Sequence, residues 1–227
     1  MVDSKNVLAG LVAASFFGAA SSLAADIDTP KTYHPYIEFF GGLGILPGIS
    51  GTDGLFFPGP VAGKVNSKVG DFAGIAVGAA LKQNWRVEAE LSRSYNGIEN
   101  FTFNNGGVNT YDGGGVNQTY ALANVWYDFR NQSAFVPYLG GGIGAGWANG
   151  SLDLGGGLSI DATSPVALAF QVGAGVVYDV NENFSIDVGY RFKAMTGLNP
   201  SVSPSAYSVD QNNIASHNFQ IGAVLHF

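Results

Sequence analysis

Apolar and polar residues alternate along most of the chain. In the segment 214–227, every second residue is apolar and the residues between are mostly polar or glycine; the apolar set is Phe219, Ile221, Ala223, Leu225 and Phe227. A period of two is that of a β-strand with one apolar face, and it does not fit a helix. The pattern therefore predicts a strand whose apolar face meets either a protein core or lipid.

The same alternation occurs eight times, in segments close to the roughly 9–11 residues that a tilted strand needs to cross a bilayer. The segments are 35–46, 70–81, 85–95, 116–129, 135–148, 165–179, 184–195 and 214–227. Short connections (82–84, 130–134, 180–183) alternate with long ones rich in Gly, Pro, Asn and Ser (47–69, 96–115, 149–164, 196–213). Bacterial outer-membrane barrels are connected in this way.

We therefore predict an all-β fold, an eight-stranded antiparallel up-and-down transmembrane barrel with short periplasmic turns and long extracellular loops. A soluble barrel of the lipocalin type is the alternative, because alternation alone does not say which face is inside. The apolar face gathers aromatic residues at strand ends, as at a membrane interface, and the other face carries glycine and charges. The aromatic set is Trp85, Phe129, Phe135, Tyr178, Phe184 and Phe227.

Composition agrees with a membrane barrel and removes several functional classes. Only 12% of residues are charged and 33 are glycine, which is typical of neither a cytosolic enzyme nor a nucleic-acid-binding protein. The net charge of −7, without a basic run, argues against nucleic acid as a partner. The chain has no cysteine, which excludes disulfides, thiolate metal sites and cysteine nucleophiles.

The N-terminal segment predicts export. An apolar run at 7–17 is followed by small residues, so we expect a signal peptide at 1–24, give or take one residue, a periplasmic lead-in at 25–34 and the barrel at 35–227. A buried helix or an uncleaved anchor is the alternative, but the run is shorter than the ~20 apolar residues that span a bilayer.

Three stretches carry a family resemblance: VPYLGGGIGAG from Val136, GAGVVYDVNENFSIDVGYRF from Gly173 and NFQIGAVLHF from Asn218. Together they resemble the small eight-stranded outer-membrane proteins of Gram-negative bacteria, the OmpA-like and opacity-protein-like barrels. The resemblance implies a bacterial outer-membrane location, contact with outer-membrane lipid and lipopolysaccharide, and a C-terminal signal for the barrel-assembly machinery at Phe219, Leu225 and Phe227. His226 departs from the Tyr, Arg or Lys usual before the final aromatic.

Motifs for chemistry are weak, and no catalytic residue, cofactor or metal is expected. Gly140-x-Gly142-x-x-Ala145 formally matches a dinucleotide fingerprint but lies inside a predicted strand. The three histidines, His34, His217 and His226, are scattered, whereas metal ligands cluster. Lipid A deacylases are similar in size, but a lipid-facing His and Ser must share one strand, and Ser216 points to the opposite face from His217.

Charged residues on the inner face form the main polar set, and buried charges must pair. They are Glu38, Arg86, Glu88, Glu90, Asp187, Arg191 and Lys193. Two interpretations remain: a structural ion-pair network that fills the narrow lumen, which is the favoured one, or a gated conductance in which the pairs exchange partners.

The long loops are the other candidate site, because surface loops on rigid scaffolds concentrate binding function. They offer aromatic contact residues and an acidic rim, which alternatively only keeps the loops soluble among lipopolysaccharide. The aromatic residues are Phe56, Phe57, Phe101, Phe103, Tyr111 and Tyr207; the acidic ones are Asp53, Glu99, Asp112, Asp153, Asp161 and Asp210.

Together these features predict a monomeric, non-enzymatic outer-membrane protein. It would serve envelope integrity or surface contact, such as adhesion to a host ligand, through its loops. A narrow channel for small solutes is the main alternative, and a lipid-modifying enzyme is the third.

Overall fold

Eight long strands form the wall of a closed antiparallel barrel. They are β1 (His34–Ile45), β4 (Gly70–Ala80), β5 (Trp85–Phe103), β7 (Gly114–Asp128), β8 (Phe135–Asp153), β10 (Ala167–Asn181), β11 (Phe184–Thr196) and β14 (Asn213–His226). This computed structural model describes residues 34–53, 61–104, 106–110, 113–153, 159–203, 207–209 and 213–227. The expected signal peptide and the lead-in up to residue 33 lie outside them.

Each long strand pairs with its neighbour in sequence, and β14 returns to β1 to close the barrel. The closing register runs from Tyr36 opposite His226 to Ile45 opposite His217. The eight-stranded up-and-down architecture is confirmed, and the predicted segments agree with the strands except at the ends. Within the described residues, no helix is both long and apolar enough to span a membrane.

The two faces of the wall are separated as the alternation predicted. Apolar residues on the outer face are exposed, with Ile143 at 59% and Ile221 at 61%, whereas Trp126 and Tyr138 on the inner face are at 0% and 2%. Of the predicted aromatic residues at strand ends, Phe135 packs tilted on Tyr178 with ring centroids 4.8 Å apart, and Trp85 and Phe129 both pack edge-on against Tyr127. The outer face is therefore a lipid-facing band with an aromatic border.

One end of the barrel, hereafter the turn end, is closed by tight connections. A single 3-10 turn, Lys82–Asn84, links β4 to β5, and Gln83 and Asn84 adopt positive φ values of 65° and 68° there. The next two turns are fixed by asparagine side chains: Asn131 Oδ1 accepts from Ser133 N at 2.7 Å, and Asn181 Oδ1 from Asn183 N at 2.9 Å. These are the local bonds for which asparagine is favoured in turns.

The opposite end, the loop end, is more ordered than the sequence predicted. The long connections contain six short strands: β2 (Ile49–Asp53), β3 (Val61–Ser67), β6 (Val108–Thr110), β9 (Ser159–Thr163), β12 (Ser201–Ser203) and β13 (Tyr207–Val209). In addition, β5 and β8 each run for 19 residues, about twice the length that crosses a bilayer. The connections are long, as predicted, but the short strands within them were not predicted, because Gly- and Asn-rich stretches hide the alternation.

Glycines on the inner wall make room for large lumenal rings, as the sequence indicated. A Cβ on Gly140 would lie 2.7 Å from Trp126 Cε3, and one on Gly175 would lie 2.6 Å from Tyr138 Cζ. Real side chains do not approach so closely. Backbone oxygens are also near: a Cβ on Gly140 would overlap Val125 O, and one on Gly175 would lie 2.6 Å from Val188 O. A Cβ at either position would therefore require both ring and backbone to move. Aromatic side chains of one strand consequently fill the lumen by packing against glycines of another strand.

Candidate functional site

The lumen contains two layers, a charged one and an apolar one. The charged layer is buried: all seven residues predicted for it lie inside the barrel with at most 8% exposure. Its members are Glu38, Arg86, Glu88, Glu90, Asp187, Arg191 and Lys193, together with Asp128, which the sequence reasoning did not include. We call these eight residues the polar plug.

Each of the three cations of the polar plug forms an ion pair with a carboxylate. Arg86 Nε lies 2.8 Å from Asp128 Oδ1 across the β5–β7 pair, and Arg191 lies 3.6 Å from Asp187, which stands four residues earlier on β11. Lys193 pairs with Glu90 across the lumen, from β11 to β5. Each cation thus has a carboxylate within reach, which is what burial of a charge requires.

Two carboxylates of the plug are held by neutral donors. Glu88 accepts hydrogen bonds from Tyr36 Oη at 2.7 Å, Trp126 Nε1 at 2.5 Å and Asn124 Nδ2 at 3.0 Å. Glu38 accepts one from Gln220 Nε2 at 3.3 Å. Aromatic and amide side chains therefore belong to the plug as much as the ions do, and these hydrogen bonds tie together β1, β5, β7 and β14.

Aromatic rings flank the buried cations. The guanidinium carbon of Arg191 lies 4.1 Å from the Trp126 ring centroid and 5.1 Å from that of Tyr138. Lys193 Nζ lies 4.8 Å from the Phe72 centroid and 5.2 Å from that of Tyr120. Such cation–π contacts stabilise charge where water is excluded. Arg191 and Lys193 are thus enclosed by aromatic rings and are 3% and 0% exposed.

Asp128 was missed although its inward parity was visible in the sequence. It stands at the last position of β7, next to a turn, where an acidic residue is usually solvated. In the barrel it is 2% exposed and accepts from Arg86. Asn124 and Gln171 were missed as well: Gln171 Nε2 donates to Glu90 Oε2 and to Asn124 Oδ1, both at 2.6 Å. Alternation on the inner face was the available signal for all three.

A second cluster of polar residues lies at the turn end, and its hydrogen bonds differ from those of a catalytic triad. Ser185 Oγ donates to Asp179 Oδ1 at 2.7 Å and lies 2.9 Å from His226 Nε2. In a catalytic triad the acid orients the histidine, which then activates the hydroxyl. Here the acid is bonded to the serine itself, so the arrangement anchors β10, β11 and β14 to one another. His226 lies on the inner side of the barrel base, as expected.

His217 is part of the outer wall near the loop end. Its Nδ1 lies 2.7 Å from Tyr190 Oη, and its ring packs 5.4 Å from that of Phe192. Ser216 points inward, where its hydroxyl accepts from Asn218 Nδ2 at 3.1 Å. His34 is exposed at the turn end. Among the described residues, no group of three or more His, Asp or Glu side chains is arranged to hold a metal ion.

The second layer of the lumen lies toward the loop end and is apolar. A buried cluster of eleven residues fills it: Leu46, Ile49, Val116, Tyr120, Leu122, Ala148, Ala167, Ala169, Met195, Leu198 and Ile214. A cavity of about 140 Å³ remains beside this cluster. The sequence analysis did not predict it, because its walls come from segments that were assigned to loops.

The predicted loop contact residues divide into three groups. Phe101 and Phe103 were expected to be exposed, which is wrong: they are 8% and 3% exposed and pack edge to face at 4.8 Å. The pairing of β5 with β3 shifts register between Ile98 and Asn100, so the odd-numbered residues beyond the shift are the buried ones. Phe56, Phe57 and Tyr111 lie outside the described residues. Tyr207 is in β13, and its side chain lies outside them too. Of the acidic rim, Glu99 and Asp161 are exposed, and the other four side chains lie outside the description.

The three residues of the proposed assembly signal share the lipid-facing side of the closing strand. Phe219, Leu225 and Phe227 are 52%, 41% and 66% exposed. The backbone N–H of Phe227 donates to Pro35 O at 3.0 Å, so the terminal residue continues the β1–β14 seam.

Comparisons with known proteins agree with this geometry. The family model described as outer membrane protein beta-barrel domain matches residues 9–227. PagN, an outer membrane protein of Salmonella typhimurium, is 28% identical over 123 residues, which is 49% of this chain and 51% of PagN. The chain therefore matches only about half the length of that relative.

Two solved structures share the fold. Neisserial surface protein A has a TM-score of 0.54 at 22% identity, over 85% of this chain and 97% of its own. A major outer membrane protein from Thermus thermophilus has a TM-score of 0.50 at 14% identity, over 87% of this chain and all of its own. Because the family model spans nearly the whole chain, this protein belongs to the outer membrane protein beta-barrel domain family and is located in the bacterial outer membrane.

Proposed function

We propose that the chain is a non-enzymatic surface protein that makes contacts with other molecules through its loop end, while the barrel below serves as a closed anchor in the outer membrane. The observation that carries this proposal is the outward continuation of the sheet: β5 and β8 extend far beyond a bilayer's thickness and pair with short strands. An ordered platform of this kind holds loops in place for binding.

The filled lumen supports an anchor in preference to a channel. Eight-stranded barrels have interiors just wide enough for side chains, and the plug of this barrel joins opposite walls through Lys193 and Glu90. Catalysis is not part of the proposal, since in the described residues His217 bonds to a tyrosine and the acid beside Ser185 does not orient His226.

The partners proposed for the barrel are outer-membrane lipid, lipopolysaccharide and the barrel-assembly machinery, the last acting through Phe219, Leu225 and Phe227. The barrel is expected to be a monomer. All eight long strands present apolar residues outward, such as Phe39, Leu91, Ile143 and Ile221. A complete lipid-facing band of this kind offers no strand edge or polar face to a second copy. A host or environmental surface would meet only the loop end.

Shortening the loop end is expected to abolish surface contact and leave the barrel intact. In one variant the β8–β9 hairpin is cut by replacing residues 151–161 with a Gly-Ser turn. Of these, 151–153 pair with 159–161 at the outer end of the described hairpin. Intact cells that display wild type or variant are tested for adhesion to a panel of immobilised matrix proteins, glycosaminoglycans and cultured epithelial cells. We expect adhesion above vector-only cells for wild type, and its loss in the variant.

The matched control replaces the turn-end residues Asn131, Gln132 and Ser133 with Gly and Ser, which leaves the loop end unchanged. Display is checked with a single cysteine at exposed Ser201, labelled on intact cells by an impermeant maleimide; the natural chain contains no cysteine to interfere. Adhesion that survives in the β8–β9 variant, or that is lost equally in the turn variant, would contradict a contact function for the loop end.

A further inference from the structure

The cavity at the loop end has the form of a binding site for a small apolar molecule. It lies inside the outward part of the barrel, between the apolar cluster and the short strands, and measures about 140 Å³. Its walls come from eight separate stretches of the chain, which contribute among others Ile49, Val65, Ile98, Val116, Leu152 and Ile214. Because these segments are far apart in sequence, the cavity is a product of the closed fold.

The chemistry of the walls selects an uncharged ligand. None of the described residues that line the cavity is charged, and its polar side chains are Ser, Thr and Asn. The hydroxyl of Ser164 is already bonded to the backbone of Ala148, as donor to O and as acceptor from N, at 2.9 Å each. A charged molecule would lose its hydration here without meeting an opposite charge among the described lining residues, which costs several kcal/mol.

The size of the cavity also limits the ligand. An engineered apolar protein cavity of about 150 Å³ stays dry and binds benzene or xenon. A cavity of about 140 Å³ with a similar lining would hold one six-membered hydrocarbon ring or a short aliphatic chain.

The floor of the cavity separates it from the rest of the lumen. Tyr120 and Met195 are both fully buried in the apolar cluster beneath it. Gly146 lets Met195 reach across, since a Cβ there would lie 2.8 Å from the Met195 sulfur. Directly below, Lys193 Nζ lies 5.2 Å from the Tyr120 ring. An apolar molecule would have to displace the Lys193–Glu90 pair to go further, so it enters and leaves from the loop end.

From these observations we propose that the loop-end cavity binds a free, uncharged, apolar small molecule of about one aromatic ring, taken up from the external medium and released to it. This is a binding site distinct from the surface-contact function, and it requires no transport across the membrane.

Benzene is a suitable probe, with methyl NMR as the readout. The barrel is refolded into nanodiscs of deuterated phospholipid with its isoleucine δ1-methyl groups labelled. Four isoleucines line the cavity, Ile49, Ile98, Ile160 and Ile214; Ile75, Ile143 and Ile221 face lipid and report partitioning of benzene into the bilayer. We expect saturable ring-current shifts of the cavity methyls and linear, non-saturating shifts of the lipid-facing ones.

Filling the cavity supplies the matched test. Ala148 lines the cavity and is 6% exposed, whereas Ala145, three positions earlier on β8, faces lipid. Ala148→Phe is expected to abolish the saturable shifts, and Ala145→Phe to leave them unchanged. Should Ala148→Phe fail to refold, Ala148→Leu occupies part of the same space and is expected to weaken benzene binding.

Three results would overturn the proposal. The first is cavity methyls that shift only linearly, in parallel with the lipid-facing ones. The second is saturable binding that Ala148→Leu leaves unchanged. The third, recorded in nanodiscs of protonated lipid, is a nuclear Overhauser contact between acyl chains and Ile49 or Ile98, because a lipid chain would then be the occupant and not a free molecule.

Discussion

Replacing Glu90 with glutamine is expected to lower the free energy of unfolding of the barrel by about 3–5 kcal/mol, the usual cost of removing one partner of a buried ion pair. Lys193 is fully buried and has Glu90 as its only carboxylate partner within the described residues. Its remaining polar contact is Ser92 Oγ at 2.8 Å. The variant would therefore leave a positive charge in the lumen without a counter-ion. Urea-induced unfolding in lipid vesicles, followed by tryptophan fluorescence, measures the change.

A double variant separates the pair from the individual side chains. Glu90→Gln combined with Lys193→Met removes both charges at similar volume and is expected to recover most of the lost stability, because no charge then remains unpaired. Glu99→Gln is the matched control, an exposed acid on the same strand, with an expected effect within about 0.5 kcal/mol. If Glu90→Gln unfolds at the wild-type urea concentration, the polar plug does not hold the barrel together.

Of two adjacent glycines of β1, only Gly42 is expected to destabilise the barrel when it is replaced by alanine; Gly41 is expected to tolerate the same change. A Cβ on Gly42 would overlap the carbonyl oxygen of Phe219 and lie 2.9 Å from its carbonyl carbon, whereas the nearest atom to a Cβ on Gly41 is Phe72 O at 3.5 Å. Phe219 belongs to β14, so the overlap falls on the seam that closes the barrel. Gly42→Ala should cost at least the roughly 1–3 kcal/mol typical of overpacking, because backbone must move.

Heat-modifiable migration on gels, which distinguishes folded from unfolded barrels, gives the folded fraction after refolding into detergent. We expect a clear loss of folded protein for Gly42→Ala and a folded fraction like that of wild type for Gly41→Ala. Equal behaviour of the two variants would mean that β1 and β14 do not pair in this register.

The membrane barrel could be predicted because every strand repeats the same alternation. Ile221 and Trp126 are assigned to opposite faces by parity alone, and their exposures of 61% and 0% agree with that assignment. Parity also placed Glu38, Glu90 and Lys193 inside the barrel. Eight repetitions of one pattern restrict the register of each strand, since shifting a strand by one residue would turn all its charges toward lipid.

The pairing of the charges could not be predicted. Glu90 and Lys193 are 103 residues apart and on strands that are not neighbours. Alternation gives the face of a residue but not its height, which depends on the tilt and stagger of all eight strands. For the same reason the sequence does not show that Asp128, which stands next to a turn, pairs with Arg86 2.8 Å away across β5 and β7.

The extension of the sheet at the loop end and the cavity within it could not be predicted, because the residue composition there is typical of loops. Ile98, Phe101 and Phe103 are buried, but a register shift after Ile98 breaks the alternation, and they stand among Asn, Gly and Glu in a stretch that looks like a loop. Their burial comes from β3 and from the interior of the barrel, and no local pattern reports those contacts. Buried aromatics in a polar segment were the available clue, and they were interpreted as exposed contact residues.

The proposed function requires a lumen that is closed by the polar plug, with the interactions of the protein confined to its loop end. The most direct measurement is solute flux into liposomes that contain the purified barrel, read as swelling in small sugars and as ionic current across a planar bilayer. We predict the same flux and current as in protein-free membranes. Flux that rises with the amount of folded protein, and that Glu88→Ala or Arg191→Ala changes, would contradict the closed lumen and establish a channel.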